Sequence, residues 1–122
     1  MAAILLVEDD PNECILYERE LQLAGHSVRV VRDGAAAVAV CENSRPDLVV
    51  MDISMPGMDG IDAMNRLLSL DNKLPIILNT AYAAYKEDFR AWAADAYVVK
   101  SADLNELKQT IQQVLEARRQ PA

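Results

Sequence analysis

Five short runs rich in Val, Ile and Leu constrain this chain most: Ala3–Val7, Val28–Val31, Leu48–Met51, Ile76–Leu78 and Tyr97–Val99. None shows the regular polar alternation of a strand with one face in water. A short run that stays apolar has both faces buried, as in a parallel sheet covered by helices on each side. The intervening stretches have the helical period and helix-start signals. Asp10-Pro11 supplies an N-cap and a proline at the first helical position, the stripe Cys14, Tyr17, Leu21, Ala24 follows, and Gly25 closes it. Asp33-Gly34 opens a second helix to about Asn43, and Asp59-Gly60 a third with Ile61, Met64, Leu67 and Leu68 on one face. Ala83 to Ala93 is the fourth. Asp103, with Glu106 three residues on, forms a capping-box variant that opens the fifth, carrying Leu104, Leu107, Ile111, Val114 and Leu115. Five β–α units in succession predict an α/β fold: a doubly wound, five-stranded parallel sheet with five helices and right-handed crossovers.

Length and charge narrow the function. The 122 residues make one domain, 1–122, with a frayed tail from about Arg118. Nineteen acidic against 12 basic residues give a net charge of −7, which repels a phosphate backbone, and no basic cluster compensates. No nucleic-acid partner is expected. The longest apolar run, Ala35–Cys41, is far too short to span a bilayer, and the N-terminus lacks the basic region of a signal peptide. A cytoplasmic protein is expected, without membrane association. Cys14 and Cys41 stand apart from each other and from His26, and read as small hydrophobes on helices rather than a disulfide or metal site.

In such a sheet, function lies at the carboxyl ends of the strands. Glu8, Asp9 and Asp10 follow the first run, Asp52 and Ser54 the third, Thr80 the fourth, and Lys100 the fifth. Arg32-Asp33, after the second, reads as less involved. Neighbouring strands lie about 5 Å apart, so several carboxylates, a hydroxyl and an ammonium converge on one crevice. Crowded carboxylates call for a cation or a proton. All-oxygen ligation by a few carboxylates plus water suits Mg²⁺ better than Ca²⁺. With a nucleophilic carboxylate, a hydroxyl donor and a lysine, these are parts for phosphoryl transfer to aspartate.

The motifs ILLVEDD, DLVVMDISMPGMDG, IILNTA and AYVVK, in this order and spacing, resemble the receiver domain of two-component response regulators over nearly the whole chain. The resemblance implies a flavodoxin-like receiver fold with strand order 2-1-3-4-5. It implies Asp52 as phospho-acceptor, Asp9 and Asp52 as Mg²⁺ ligands, Glu8 acting through water, and the Ser54 carbonyl as a backbone ligand. It makes Thr80 the switch hydroxyl, Lys100 the partner lysine, and Tyr97 the aromatic that changes rotamer on activation. The phosphoryl donor would be a histidine kinase or histidine phosphotransfer protein. The output would be contact with another protein through the face of the fourth helix, fifth strand and fifth helix. A stand-alone regulator of the chemotaxis or sporulation type is expected, a monomer or a phosphorylation-dependent dimer. It would be no enzyme beyond its own phosphorylation and dephosphorylation.

Two other classes fit the architecture less well. A phosphatase of the haloacid-dehalogenase type carries its nucleophile after the first strand, within DxD, and a cap domain. A flavodoxin-like FMN binder needs a Ser/Thr/Gly-rich loop where Glu8-Asp9-Asp10 stands. Each site residue also has a plainer reading. Asp10 and Asp59 read as helix caps, His26 as exposed in a turn, and Arg118 and Arg119 as complementing a helix C-terminus without a partner. Three departures from the family pattern stand out. Ser101 replaces the proline that usually follows the lysine, so a trans Lys100–Ser101 bond is expected. Ala93 stands where glycine is usual. The Thr80–Tyr97 interval is short by about two residues, roughly half a helical turn, yet carries Tyr82, Tyr85, Phe89 and Trp92. Tyr85, Trp92 or both are expected to meet the output partner, and Ile15 and Leu16, off the core stripe of the first helix, the kinase.

Overall fold

The computed structural model describes residues 2–52, 60–81, 93–101 and 103–119. The chain runs β1 (Ala3–Val7), α1 (Pro11–Leu23), β2 (Ser27–Val31), α2 (Gly34–Asn43), β3 (Leu48–Met51), α3 (Gly60–Leu70), β4 (Ile76–Thr80), β5 (Ala96–Val99) and α4 (Asn105–Arg119). The strands form one five-stranded sheet in the order β2-β1-β3-β4-β5, and every pairing is parallel. The order reverses between β1 and β3, which makes their carboxyl ends the switch point of the sheet. The helix expected over 83–93 falls almost wholly outside the described residues, as do Ser54, Asp59, Tyr82, Tyr85, Phe89 and Trp92.

Alternate residues of the central strands feed two cores. Leu5, Val7, Val49, Met51, Ile76 and Leu78 pack with Ala37 of α2 and Ile61, Met64 and Leu67 of α3. Ile4, Leu6, Leu48, Val50, Ile77 and Val98 pack with Tyr17 and Leu21 of α1 and Leu107, Ile111 and Leu115 of α4. All of β3 and β4 is buried, whereas the edge strand β2 exposes Ser27 and Arg29. An edge strand is covered less completely, so its run is the least continuous of the five. β4 continues through Asn79 and Thr80, past the end of its apolar run, because both polar side chains are buried and the ladder still pairs Thr80 with Val99.

Local signals act at the element ends. The Asp10 carboxylate accepts from the Asn12 and Glu13 N–H groups at 2.8 and 3.2 Å and caps α1. The helix closes in a Schellman turn, with His26 N–H donating to the Leu21 carbonyl and Gly25 N–H to that of Gln22. Gly25 takes φ +100°, the only positive φ among the described residues, where a Cβ would be strained. Ala93 therefore does not need the glycine conformation, and the Lys100–Ser101 bond is trans.

Several local expectations are corrected. Asp103 accepts from Asn105 N–H, but its own N–H donates to Ser101 Oγ (3.2 Å) rather than closing a box with Glu106. His26 is half-buried, and its Nδ1 accepts from Ala2 N–H at 3.2 Å. Arg118 has a partner: its guanidinium donates twice to Asp95 Oδ2, at 2.7 and 3.1 Å, tying the end of α4 to the start of β5. That contact keeps Arg118 and Arg119 helical where a tail was expected. Both cysteines are free thiols, Cys14 buried and Cys41 half-buried.

Candidate functional site

The sheet ladder continues past the strands into the polar residues that follow them. Glu8 N–H donates to the Val31 carbonyl (3.1 Å), Asp52 N–H to that of Val7 (3.0 Å) and Lys100 N–H to that of Thr80 (2.7 Å). The backbones of Glu8, Asp52, Thr80 and Lys100 are thus held in register by the same hydrogen bonds that build the sheet. Their side chains stand together at its carboxyl edge.

Lys100 ties the group together. Its ammonium donates to Glu8 Oε1 at 2.5 Å, to Asp52 Oδ2 at 2.8 Å and to Glu13 Oε2 at 2.8 Å. An ammonium has three donors, and all three are spent on carboxylates. Glu8 is saturated in turn: its Oε2 accepts from the Asp9 and Asp10 N–H groups at 3.0 and 3.3 Å. Its own carbonyl accepts from Cys14 Sγ at 3.1 Å. Tyr17 and Asn79 are both buried.

Burial and the shortage of positive charge set the electrostatics. Glu8 is 2% exposed and Asp52 6%. Burial pushes the Glu8 carboxyl up to about 7 against the pull of Lys100, and the Asp52 charge adds to the rise. For Lys100, burial opposes the ammonium, but its hydrogen bonds to Asp52, Glu13 and Glu8 outweigh it and hold the lysine well above its ordinary value. The two shifts have different origins: burial raises Glu8, whereas three carboxylates around one ammonium raise Lys100.

Glu8, Asp9 and Asp52 each offer an oxygen, and these oxygens lie within 4.8 Å of one another. Three hard donors at the mouth of a crevice, under-compensated by one lysine, fit a divalent cation that keeps part of its water, as Mg²⁺ does. Glu8 presents one oxygen to Lys100 and the other to two backbone amides.

The structure brings together Glu8, Asp9, Asp52 and Lys100 of the residues expected from sequence, with Thr80 buried at the end of β4 and bound to Lys100 through the backbone. Tyr97 lies half-buried against the core that contains Met51 and Leu78. Ser54, the expected backbone ligand, is outside the described residues. Two neighbours were not foreseen. Arg32, read as less involved, donates from Nη2 to the Asp9 carbonyl at 2.8 Å and braces the acidic loop. Glu13, on the first turn of α1, reaches Lys100. An acidic residue three places after an N-cap is ordinary helix chemistry, so sequence carries no separate signal for that contact. Only the start of α1 directly over the crevice reveals it.

A family model described as the response regulator receiver domain matches residues 4–112. The chain belongs to the response regulator receiver domain family. This receiver domain is similar to the response regulator TrrA of Thermotoga maritima, solved in complex with Mg²⁺ and BeF. The TM-score is 0.90 and the identity 38%, over 93% of this chain and 99% of that one. It is equally similar to TrrA solved in complex with the histidine kinase ThkA, at TM-score 0.89 and 38% identity, over 94% and 99% of the two chains. Among curated proteins, it is 37% identical to the regulatory protein AtoC of Escherichia coli over 93% of this chain and 25% of that protein. It is 33% identical to the transcriptional regulatory protein PrrA of Mycobacterium tuberculosis over 94% of this chain and 50% of that protein. The receiver domain thus spans a quarter to a half of the length of these two relatives.

Proposed function

We propose that this receiver domain is a phospho-accepting switch in which Asp52 takes a phosphoryl group from a phosphohistidine. The donor would be a histidine kinase or a histidine phosphotransfer protein. The Asp52 carboxylate attacks phosphorus, the P–N bond to the donor imidazole breaks with its electron pair returning to nitrogen, and an acyl phosphate forms on Asp52. Lys100, already 2.8 Å from Asp52, would pair with the incoming phosphoryl oxygens. Glu8, Asp9, Asp52 and the Ser54 carbonyl would hold Mg²⁺, Glu8 through water; when bound, the ion supplies neutralisation of phosphoryl charge. The TrrA complex with Mg²⁺ and BeF and the acidic cluster support that assignment, and the TrrA complex with ThkA supports the choice of donor.

The switch would follow from Thr80. Drawn toward a phosphoryl oxygen, its hydroxyl leaves space into which Tyr97 rotates, changing the face of β5 and α4 that another protein reads. Only a differential affinity of the phosphoryl group for two existing arrangements is needed. We place the domain at 1–122, as a cytoplasmic monomer or phosphorylation-dependent dimer that works by protein contact rather than on nucleic acid or membrane. Among the described residues no helix is long and apolar enough to cross a membrane.

The observation that carries the reading is the convergence of Glu8, Asp9, Asp52 and Lys100 at the switch point of the sheet. Incubation with acetyl phosphate and Mg²⁺ tests it by intact mass. A single adduct of about 80 Da, the mass of one phosphoryl group, should appear on the wild type and be absent from Asp52→Asn. Full labelling of Asp52→Asn would overturn the assignment.

A further inference from the structure

Glu13 stands outside the set of oxygens that face a cation. Glu8, Asp9 and Asp52 form that set, whereas among the described residues Glu13 touches the site through Lys100, at 2.8 Å. Its side chain is 32% exposed, against 2% for Glu8 and 7% for Asp52. The other two carboxylates on the ammonium are therefore the ones a cation would claim, and Glu13 is the one it would leave. We infer that Glu13 is a positioning residue for Lys100: it holds the ammonium to the α1 side and retains it when Glu8 and Asp52 turn to a divalent cation.

This role is a difference between two states of the site and rests on the cation reading proposed above. Without a cation, Lys100 has three carboxylates, so loss of Glu13 leaves it two strong partners. A cation drawn to Glu8, Asp9 and Asp52 repels the ammonium and competes for two of its acceptors. Glu13 is then its nearest carboxylate outside the cation set, and losing it costs more. An interaction stronger in one state shifts the equilibrium toward that state. Glu13 should thus raise cation affinity without ligating the cation. Its place on the first turn of α1, fixed by the Asp10 cap that accepts from Glu13 N–H itself, keeps the carboxylate within reach of Lys100.

The test is Mn²⁺ binding to the unphosphorylated protein, read from the electron paramagnetic resonance of free Mn²⁺. It compares wild type, Glu13→Asp, Glu13→Gln and, as a charge control, Glu20→Gln. Glu13→Asp keeps the charge but is one methylene too short for the contact. Glu20 sits on the same helix and pairs with Lys108 instead. Glu13→Asp should weaken Mn²⁺ binding about fivefold, the share of a charged hydrogen bond felt in only one of two states. Glu13→Gln should weaken it at least as much, and Glu20→Gln by less than about twofold, as a distant screened charge. Circular dichroism melting confirms that each variant is folded. Wild-type affinity in Glu13→Asp, or equal effects of Glu13→Gln and Glu20→Gln, overturns the positioning role while leaving the cation site standing. No Mn²⁺ binding by the wild type at millimolar concentration overturns the cation reading, and the role of Glu13 with it.

Discussion

At the residue scale, the acidic crevice depends on Lys100 more than on any one carboxylate. Asp52→Asn leaves the ammonium with Glu8, Glu13 and an amide oxygen as acceptors, and removes one of the crowded charges. Its stability by urea unfolding should stay within about 1 kcal/mol of wild type. Lys100→Met removes the only positive side chain that touches Glu8 and Asp52 among the described contacts, and breaking such a buried pair costs about 3 kcal/mol or more. Equal stability of the two variants would mean that the clamp does not form in solution. A second residue is a pH sensor of modest reach. Burial lowers the pKa of His26, and its Nδ1 accepts from Ala2 N–H, which a protonated ring cannot do. The folded state then binds a proton less readily than the unfolded one, so stability from His26 is complete above the unfolded value near 6.5 and is lost as pH falls through that value. Glutamine can accept the same hydrogen bond without titrating. The stability advantage of wild type over His26→Gln should shrink from pH 7.5 to pH 5.5, and a pH-independent difference would exclude the effect. Sequence placed Asp9, Asp52 and Lys100 at one crevice, where the structure brings them together, because residue type and strand-end position can both be read along the chain. It missed His26, Arg32, Arg118 and Glu13 because each acts through a tertiary contact that no local pattern encodes.

At the element scale, α1 carries both the cap of the site and its most exposed apolar surface. Cys14, Tyr17 and Leu21 face the core, which turns Ile15 and Leu16 outward at 67% and 46% exposure. They lie within one turn of Glu13 and the crevice, where the phosphoryl donor proposed for Asp52 would approach. Alanine at Ile15 or Leu16 should slow phosphotransfer from a histidine kinase several-fold, in the range of an interface contact worth about 1 kcal/mol, and leave labelling by acetyl phosphate unchanged. Equal slowing with both donors would place the effect in the fold or the site instead of docking. The helices were legible because cap, stripe and stop agree: Asp10, Asp33 and Gly25 each act where the sequence puts them. The last helix shows the limit. Asp103 and Glu106 have the spacing of a capping box, yet Ser101 takes the Asp103 amide, and a local motif cannot say which of two nearby acceptors wins.

At the scale of the whole molecule, the two-sided core follows from strands apolar on both faces, whereas the strand order β2-β1-β3-β4-β5 was legible only through the resemblance to receiver domains. The balance of charge at the switch point was not legible, because it depends on how many carboxylates one lysine must serve. Three carboxylates, Glu8, Glu13 and Asp52, share one ammonium here, and Asp9 adds a fourth acidic side chain beside Glu8 and Asp52, in a chain of net charge −7. Folding brings these charges together, and the unfolded chain does not, so their repulsion is a cost borne by the native state alone. A divalent cation that binds the crevice removes part of this cost and binds the unfolded chain weakly. The unphosphorylated domain should therefore gain stability with added Mg²⁺, by about 2.7 kcal/mol at 100 times Kd. For a domain of this size the melting temperature should rise by roughly 10 °C. NaCl at matched ionic strength controls for general screening and should give a much smaller rise. Asp9→Asn, which removes the charge of one of the three clustered carboxylates without touching Lys100, should shift the Mg²⁺ dependence to higher concentration. A melting temperature unmoved by millimolar Mg²⁺ and Mn²⁺ alike would mean that Lys100 already satisfies the crevice, and that the carboxylates crowd there for some purpose other than a cation.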